Sequence, residues 1–375
     1  ITQAIQDRAS DIHIEPTERD LRVRFRIDGV LHEVMRSQKT ITSGVTSRLK
    51  IMADINIAER RIPQDGRLSV NANGKKIDLR VATLPTVWGE KIVMRVLDNT
   101  TAMLNLSDLG FSEPNYDVFS KSFVKPYGMI LVTGPTGSGK STTLYATLNI
   151  VSKPEVNVIT VEDPVEYRLP GINQVQTNVK AGLTFSAALR SILRSDPDIV
   201  LLGEIRDGET AHIAVESALT GHLVLSTLHT NDAPSAVVRL TEMGIEPFLV
   251  GSALDCVLAQ RLARRLCPKC KEAYQPTPEM LIANRFPWQD GMELPTIYRP
   301  IGCSACSKTG YKGRLALHEV MAVSEEIERA TVERASSMVI TKLAIEQGMI
   351  TLRHDGLLKV LSGVTSIEEI FRVVA

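Results

Sequence analysis

Gly134-Pro-Thr-Gly-Ser-Gly-Lys140-Ser141 follows an apolar run over 129–133 and precedes a helix-compatible run over 142–151. Strand, glycine loop and helix in that order are the context in which a G-x-x-x-x-G-K-[ST] pattern holds phosphate. Gly137 and Gly139 let backbone N–H groups turn toward phosphate oxygens. The helix N-terminus adds its positive dipole end. Lys140 is placed to reach the β- and γ-phosphates, and Ser141 to offer its hydroxyl to Mg2+. The expected nucleotide-binding segment is therefore Gly134, Pro135, Thr136, Gly137, Ser138, Gly139, Lys140, Ser141 and Thr142. A glycine turn with a chance lysine is the alternative, and both flanks argue against it.

Residues 124–260 carry four apolar runs of parallel-strand type, at 129–133, 156–161, 198–202 and 223–227, separated by helical stretches. Strands buried on both faces argue for an α/β sheet with right-handed crossovers. The second run leads into Glu162-Asp163-Pro164-Val165-Glu166, the third into Gly203-Glu204-Ile205-Arg206-Asp207 and the fourth into Leu228-His229-Thr230-Asn231-Asp232. Ligands of open α/β sheets bind beyond the carboxyl ends of the strands. The phosphate loop and these clusters are thus expected to converge on one edge, as a nucleotide hydrolysis site built from separate parts of the chain. Glu204 ends an apolar strand, where a carboxylate would hold Mg2+ through water; the alternative is an exposed turn acid. Glu162 is the candidate to orient or deprotonate the attacking water, or else a capping acid; Asp163 and Glu166 are read as fixing the loop. His229 is a candidate γ-phosphate sensor or a structural histidine. His222 precedes it by an odd spacing, which in an unbroken strand puts the two on opposite faces.

Upstream, residues 1–100 read as an α+β domain. Leu21-Arg-Val-Arg-Phe-Arg-Ile27 alternates, with Leu21, Val23, Phe25 and Ile27 on one face and Arg22, Arg24 and Arg26 on the other. Asp28-Gly29 signals a tight turn into a strand over 30–35. A helix is expected over 45–52 and strands over 67–70, 77–82 and 92–97, with Asn73-Gly74 turning between the first two. The arginine row is either a solvated face or a functional one. Residues 101–123 read as a linker with a short helix.

Downstream, Cys267-Pro-Lys-Cys270 and Cys303-Ser-Ala-Cys306 suit tetrahedral Zn2+ with four thiolates and no open position, given an excursion between the pairs. Disulfides or redox pairs are the alternatives. Cys256 is expected to be a buried small hydrophobe. Residues 321–375 read as helical, with Ser366-Ile-Glu-Glu369 patterned as a capping box.

The composition fits packed globular domains: 375 residues, 43% hydrophobic and 23% charged. Lys plus Arg and Asp plus Glu both number 43, and that balance argues against a dedicated nucleic-acid binder. No apolar run is long enough to span a bilayer, and the polar opening is not a signal peptide. The opening Ile1 suggests a fragment with something missing before it. Two Cys-x-x-Cys pairs among five cysteines fit an intracellular location.

Over essentially its whole length the chain resembles the secretion ATPase superfamily, in particular the type II secretion and type IV pilus assembly ATPases. Ser10-Asp-Ile-His-Ile-Glu15 and Arg24-Phe-Arg-Ile-Asp-Gly29 resemble that family's second N-terminal domain, of PAS-like fold, and Ile62-Pro-Gln-Asp-Gly-Arg67 is similar to another of its marks. Glu162–Glu166 resembles its Asp box, Gly203–Asp207 its Walker B motif, and Gly221-His222 through His229-Thr-Asn231 its His box. The resemblance implies an α/β protein: a PAS-like domain at 1–100, a linker at 101–123, a RecA-like P-loop core at 124–260, a tetracysteine module at 261–320 and a helical region at 321–375. It implies a cytoplasmic homo-hexamer, peripheral at the inner membrane, that uses ATP, Mg2+ and Zn2+. Its partners would be a membrane platform protein and a membrane-docking component, with no nucleic acid. In such a ring Arg26 and Arg67, which lie in family-like segments, are the expected arginine fingers. A pilus retraction motor is the near rival; those enzymes lack the cysteines. A RecA-like nucleic-acid motor is disfavoured by neutral charge and by arginines without interleaved aromatics. A non-hydrolysing nucleotide-sensing adaptor is disfavoured by the full acidic set.

Overall fold

The computed structural model describes residues 1–72, 74–97, 104–289 and 291–374, without the side chains of Lys75 and Lys76. The chain divides into two units, Ile1–Thr101 and Ala102–Ala375.

The first unit runs α1 (Thr2–Gln6), β1 (Asp11–Pro16), β2 (Asp20–Ile27), β3 (Val30–Gln38), α2 (Thr42–Met52), β4 (Gln64–Ala72), β5 (Lys75–Thr86) and β6 (Gly89–Leu97). These strands form one antiparallel sheet in the order β3-β2-β1-β6-β5-β4. One face is apolar. Ile12, Ile14, Phe25, Leu68, Leu79, Val81, Ile92 and Met94 pack with Ala4 of α1 and Leu49 of α2. The alternation read in Leu21–Ile27 is therefore real: Leu21 and Phe25 are buried while the arginines stay half-exposed. β1 alternates too, with Ile12 and Ile14 on the core face, but its polar positions Asp11, His13 and Glu15 are buried as well. Gly66 is required where β4 passes the end of α2, since a Cβ there would collide with the Ala53 carbonyl and the Ile55 side chain. Asn73 of the expected Asn73-Gly74 turn lies outside the described residues; Ala72 and Lys75 pair beside it.

In the second unit, α3 (Glu113–Phe123) leads into β7 (Gly128–Thr133), α4 (Lys140–Val151), β8 (Val158–Glu162), β9 (Asn173–Gln176), α5 (Phe185–Ile192), β10 (Ile199–Leu202), α6 (Gly208–Leu219) and β11 (Leu223–Leu228). Then come α7 (Pro234–Glu242), α8 (Pro247–Ala253), β12 (Leu254–Leu266), β13 (Glu272–Tyr274), α9 (Pro278–Ala283), β14 (Ile297–Arg299) and β15 (Tyr311–Ala322). Four helices close the chain: α10 (Glu325–Val332), α11 (Ser337–Glu346), α12 (Leu352–Leu361) and α13 (Ile367–Val373). The large sheet has the order β15-β12-β7-β11-β10-β8-β9. It is parallel except for the β12–β15 pair. β7, β8, β10 and β11 are the four apolar runs of the sequence, and every residue in them is buried.

Three expectations change. Residues 104–123 are not a loose connection: Phe119 and Phe123 of α3 are buried against Ile130, Leu144, Cys256 and Val320, and Asn115 donates to the His318 carbonyl at 3.0 Å. Residues 101–103 of the expected linker lie outside the described residues. The boundary expected at 260/261 falls inside β12, and the helical region expected from 321 begins inside β15, because these two long strands complete the sheet beside β7. The capping box at Ser366 is half made. Ser366 accepts from Glu369 N, but the Glu369 carboxylate is taken by the Arg264 backbone and side chain and by Arg372. Cys256 is fully buried, as expected, and burial pushes its thiol up to about 12.

Candidate active site

The phosphate loop leaves the buried strand β7 and turns into α4 at Lys140. Gly134, Gly137 and Gly139 take positive φ values of 144°, 81° and 91°. At two of them space is also short. A Cβ on Gly134 would lie 2.5 Å from the Gln260 carbonyl oxygen, and one on Gly139 would lie 2.7 Å from Gln260 Nε2. β12 is the wall in question. Gln260 donates to the Ser138 carbonyl at 2.9 Å and accepts from Thr143 at 2.7 Å, holding the loop from behind. The neighbouring Arg261 donates to Asn231, to its carbonyl at 2.9 Å and its side chain at 3.2 Å.

Four features fit a polyphosphate. The N-cap of α4 is Gly139, with no side chain covering the first-turn N–H groups. Among the described residues, the buried hydroxyls of Thr133 and Ser138 have no partner. The Lys140 ammonium folds onto its own loop, donating to the carbonyls of Gly134 at 2.8 Å and Pro135 at 3.1 Å. Burial holds its pKa below the usual lysine range, with Glu204 acting against that shift. Ser141 is exposed at the first turn.

The expected acids and histidine emerge from neighbouring strands of the same edge. Leu202 pairs with Val161 and Ser226, and Leu228 with Thr133, so Glu162, Glu204 and His229 follow strands that end together. Glu204 accepts from Arg206 and lies 3.4 Å from His229 Nε2. Burial works to raise the Glu204 carboxyl, but Arg206 and His229 outweigh it and the net shift is downward. The group is thus held as a carboxylate, the form a divalent cation needs. Glu162 is different. It is 5% exposed and accepts from Tyr145, from Thr160 at 2.6 Å and from Gln174 at 3.1 Å. Asp163 is exposed and Glu166 half-buried. His222 precedes β11 and His229 follows it, so the two sit at opposite ends of the strand, roughly 20 Å apart by strand rise. His222 Nδ1 meets the Ser217 carbonyl at 2.9 Å, a structural role.

Tyr145, Gln260 and Arg261 belong to this site and were not expected in it. Tyr145 carried a usable signal, lying four residues past Ser141 and hence one turn along the same helix face. The other two sit on a strand whose place beside β7 only the tertiary structure reveals.

The four cysteines converge. Their sulfurs all lie within 4.8 Å of one another, with Cys267–Cys303 at 3.9 Å, Cys270–Cys306 at 3.7 Å and Cys303–Cys306 at 3.8 Å. Metal–sulfur bonds of about 2.3 Å give a tetrahedron with edges of about 3.8 Å, so the donor set fits. Backbone N–H groups of Gly302, Cys303 and Gly310 point at the sulfurs of Cys270 and Cys306, which suits thiolates.

In the first unit, the polar sheet face is an ion-pair lattice. Arg22 and Arg24 both reach Glu15, Arg24 through two hydrogen bonds of 2.8 Å, and Lys91 adds a third cation at 2.9 Å. Arg26, Asp11, Arg95, Arg80 and Arg67 stand opposite one another in a single row across five strands. Arg26 donates to the Gly29 carbonyl at 2.8 Å and lies 3.8 Å from Asp11, which also holds Arg95 at 3.0 Å. Arg80 lies 3.4 Å from Asp65, off the row, and Arg67 is exposed. Arg26 and Arg67 are thus the two ends of one cationic row.

The sequence profile of the type II/IV secretion system proteins matches residues 1–372. The chain belongs to that family. Among its relatives, the type IV pilus assembly ATPase PilB of Myxococcus xanthus is 51% identical over 371 residues, covering 99% of this chain and 66% of that protein. The type II secretion system protein E of Dickeya dadantii is 51% identical over 374 residues, covering all of this chain and 74% of that protein. The chain therefore spans about two thirds to three quarters of the length of these relatives. The secretion ATPase fold also matches solved structures. The Legionella pneumophila ATPase DotB aligns at a TM-score of 0.72 and 20% identity, over 98% of this chain and 92% of that one. The pilus retraction motor PilT with bound ADP aligns at 0.66 and 22%, over 99% and 94%. At that identity both speak to fold alone. Among the described residues no helix is long and apolar enough to cross a membrane.

Proposed function

We propose that this family member is the motor portion of an ATPase that powers assembly of a type IV pilus or a type II secretion pseudopilus. The observation that carries the reading is the meeting of the phosphate loop with Glu162, Glu204 and His229 at one sheet edge, in a chain half identical to pilus and secretion ATPases. Lys140 and the loop N–H groups, from Gly134 to Thr142, bind the ATP phosphates. Ser141 and Glu204 would hold Mg2+, whose charge offsets that developing on the phosphoryl oxygens. Glu162 accepts the proton of the attacking water. His229, beside Glu204, senses the γ-phosphate. Arg26 and Arg67 act as arginine fingers within a homo-hexameric ring, where a fixed guanidinium forks onto phosphate. Cys267, Cys270, Cys303 and Cys306 would hold a structural Zn2+, since four thiolates leave no open position.

The first unit is read as PAS-like, with its helices on one face of an antiparallel sheet. The machine is read as cytoplasmic, docked at the inner membrane on a platform protein and a second membrane component. The cysteine cluster favours the assembly class over a retraction motor. Mg2+-dependent ATP hydrolysis by purified protein, with and without single-stranded DNA, tests the reading together with the mass of the assembled particle. Expected are turnover in a hexamer and no stimulation by DNA. A monomer activated by DNA would replace this reading with the nucleic-acid motor.

A further inference from the structure

Glu162 does not stand alone at the end of β8. Its Oε1 accepts from Thr160 and Gln174, and its Oε2 accepts from Tyr145. A carboxylate offers about four lone-pair sites. Among the described residues three are used, and the remaining one is on Oε2. The donors are themselves fixed. Gln174 also donates to the Tyr167 carbonyl at 2.9 Å and accepts from Leu169 N at 2.7 Å, so its amide cannot turn away. Tyr145 is 1% exposed, and its ring meets that of Tyr167 edge-on at 6.1 Å. Its hydroxyl donates to Glu162. Tyr145 sits on α4, one turn of about 6 Å beyond Ser141 on the same face. A single side chain thus ties the acidic segment after β8 to the helix that begins in the phosphate loop.

We propose that Tyr145 is a positioning residue for catalysis: it suspends Glu162 from the phosphate-loop helix and leaves one open lone pair, on Oε2, to take the proton of the attacking water. The inference rests on the water-activating reading of Glu162. Helix α4 begins in the phosphate loop, so Tyr145 ties the carboxylate to the segment that holds the phosphates. Thr160 and Gln174 stop the same group from rotating.

The test is Tyr145→Phe, which keeps the ring and its packing, made alone and combined with Glu162→Gln. A hydrogen bond to a charged group is worth roughly ten- to a hundred-fold. The single variant should lose that much in kcat, while ATP affinity, measured by equilibrium binding, stays within about two-fold of the parent. In the Glu162→Gln background the second substitution should cost nothing further, because the two side chains act as one unit. If Tyr145→Phe keeps the parent kcat while Glu162→Gln is inactive, the positioning role is wrong and the base assignment stands. If Glu162→Gln itself turns over at the parent rate, the base assignment fails and takes the inference with it. Equal losses in both backgrounds, or a loss that tracks weakened ATP binding, would mark Tyr145 as a packing residue only. Should Tyr145→Phe not fold, Thr160→Val removes a donor from the other oxygen, and the same outcomes decide.

Discussion

Lys140 donates to two carbonyls of its own loop, and burial depresses its pKa. Both facts describe a cation short of an anion. Lys140→Ala should therefore abolish hydrolysis, read as phosphate release, because no other group in the loop supplies that charge. Glu204→Gln keeps the shape but removes the charge that Arg206 and His229 sustain, and turnover should fall with a raised Mg2+ requirement. Glu162→Gln should bind ATP near the parent affinity and hydrolyse it roughly 10²-fold or more slowly. Parent-rate hydrolysis by that variant would remove the general base from the scheme. At this scale much of the site is legible in the chain. A carboxylate or histidine directly after a wholly apolar strand can be placed by strand direction alone. Gln260 and Arg261 cannot, since their contacts with Ser138, Thr143 and Asn231 cross long stretches of sequence and depend on which strand lies next to β7. Tyr145 reads as core until its hydroxyl is seen to have a destination.

Elements divide in the same way. β7, β8, β10 and β11 are continuous apolar runs because helices cover both faces of the sheet, and such runs announce themselves. β1 alternates over only five residues, and what the pattern does not reveal is that the charges on its second face are buried, where arginines neutralise them. β9 is four residues at an edge, three of them polar. β12 carries arginines whose partners, Asn231 and Glu369, come from distant segments. β1 also has a pH signature. Burial alone would raise the Glu15 carboxyl, but hydrogen bonds from Arg24 and Lys91 push it down to about 2. Its folded value lies below the unfolded one of about 4.3. The stabilisation is therefore complete above about pH 4.5 and is lost as the pH falls toward 2. Thermal melting of the parent should drop over that window more steeply than that of Glu15→Gln; parallel curves would show that Glu15 contributes nothing there. The cysteine cluster yields a metal prediction. One Zn2+ per chain should be found by elemental analysis, and Cys267→Ser or Cys303→Ser should release it and lower the melting temperature. Metal-free protein that melts where the parent does would remove zinc from the account.

For the whole molecule the question is what the cationic row of the first unit is for. Three arginines, Arg95, Arg80 and Arg67, stand directly opposite one another, and like charges so placed repel, which Asp11 offsets at Arg95 and Asp65 at Arg80. An arginine finger is worth on the order of 10³-fold in turnover, a surface ion pair under about 1 kcal/mol. If the proposed ring forms, Arg26→Ala and Arg67→Ala measured on the assembled protein should fall in the first range. Rates within a few-fold of the parent for both would leave the row as a solvated surface. The four-cysteine segment, finally, departs from β12 after Leu266 and returns to β15 at Tyr311, and those two residues are cross-strand partners. Partners of that kind lie about 5 Å apart, so 267–310 is a guest whose entrance and exit share one doorway. Its strands β13 and β14 form a sheet of their own, outside the strand order of the host, while Leu281, Phe286 and Ile297 add to the host's core. A lineage could lengthen, exchange or lose the guest without rethreading the motor, and a protein engineer could seat a compact reporter with adjacent termini at the same place.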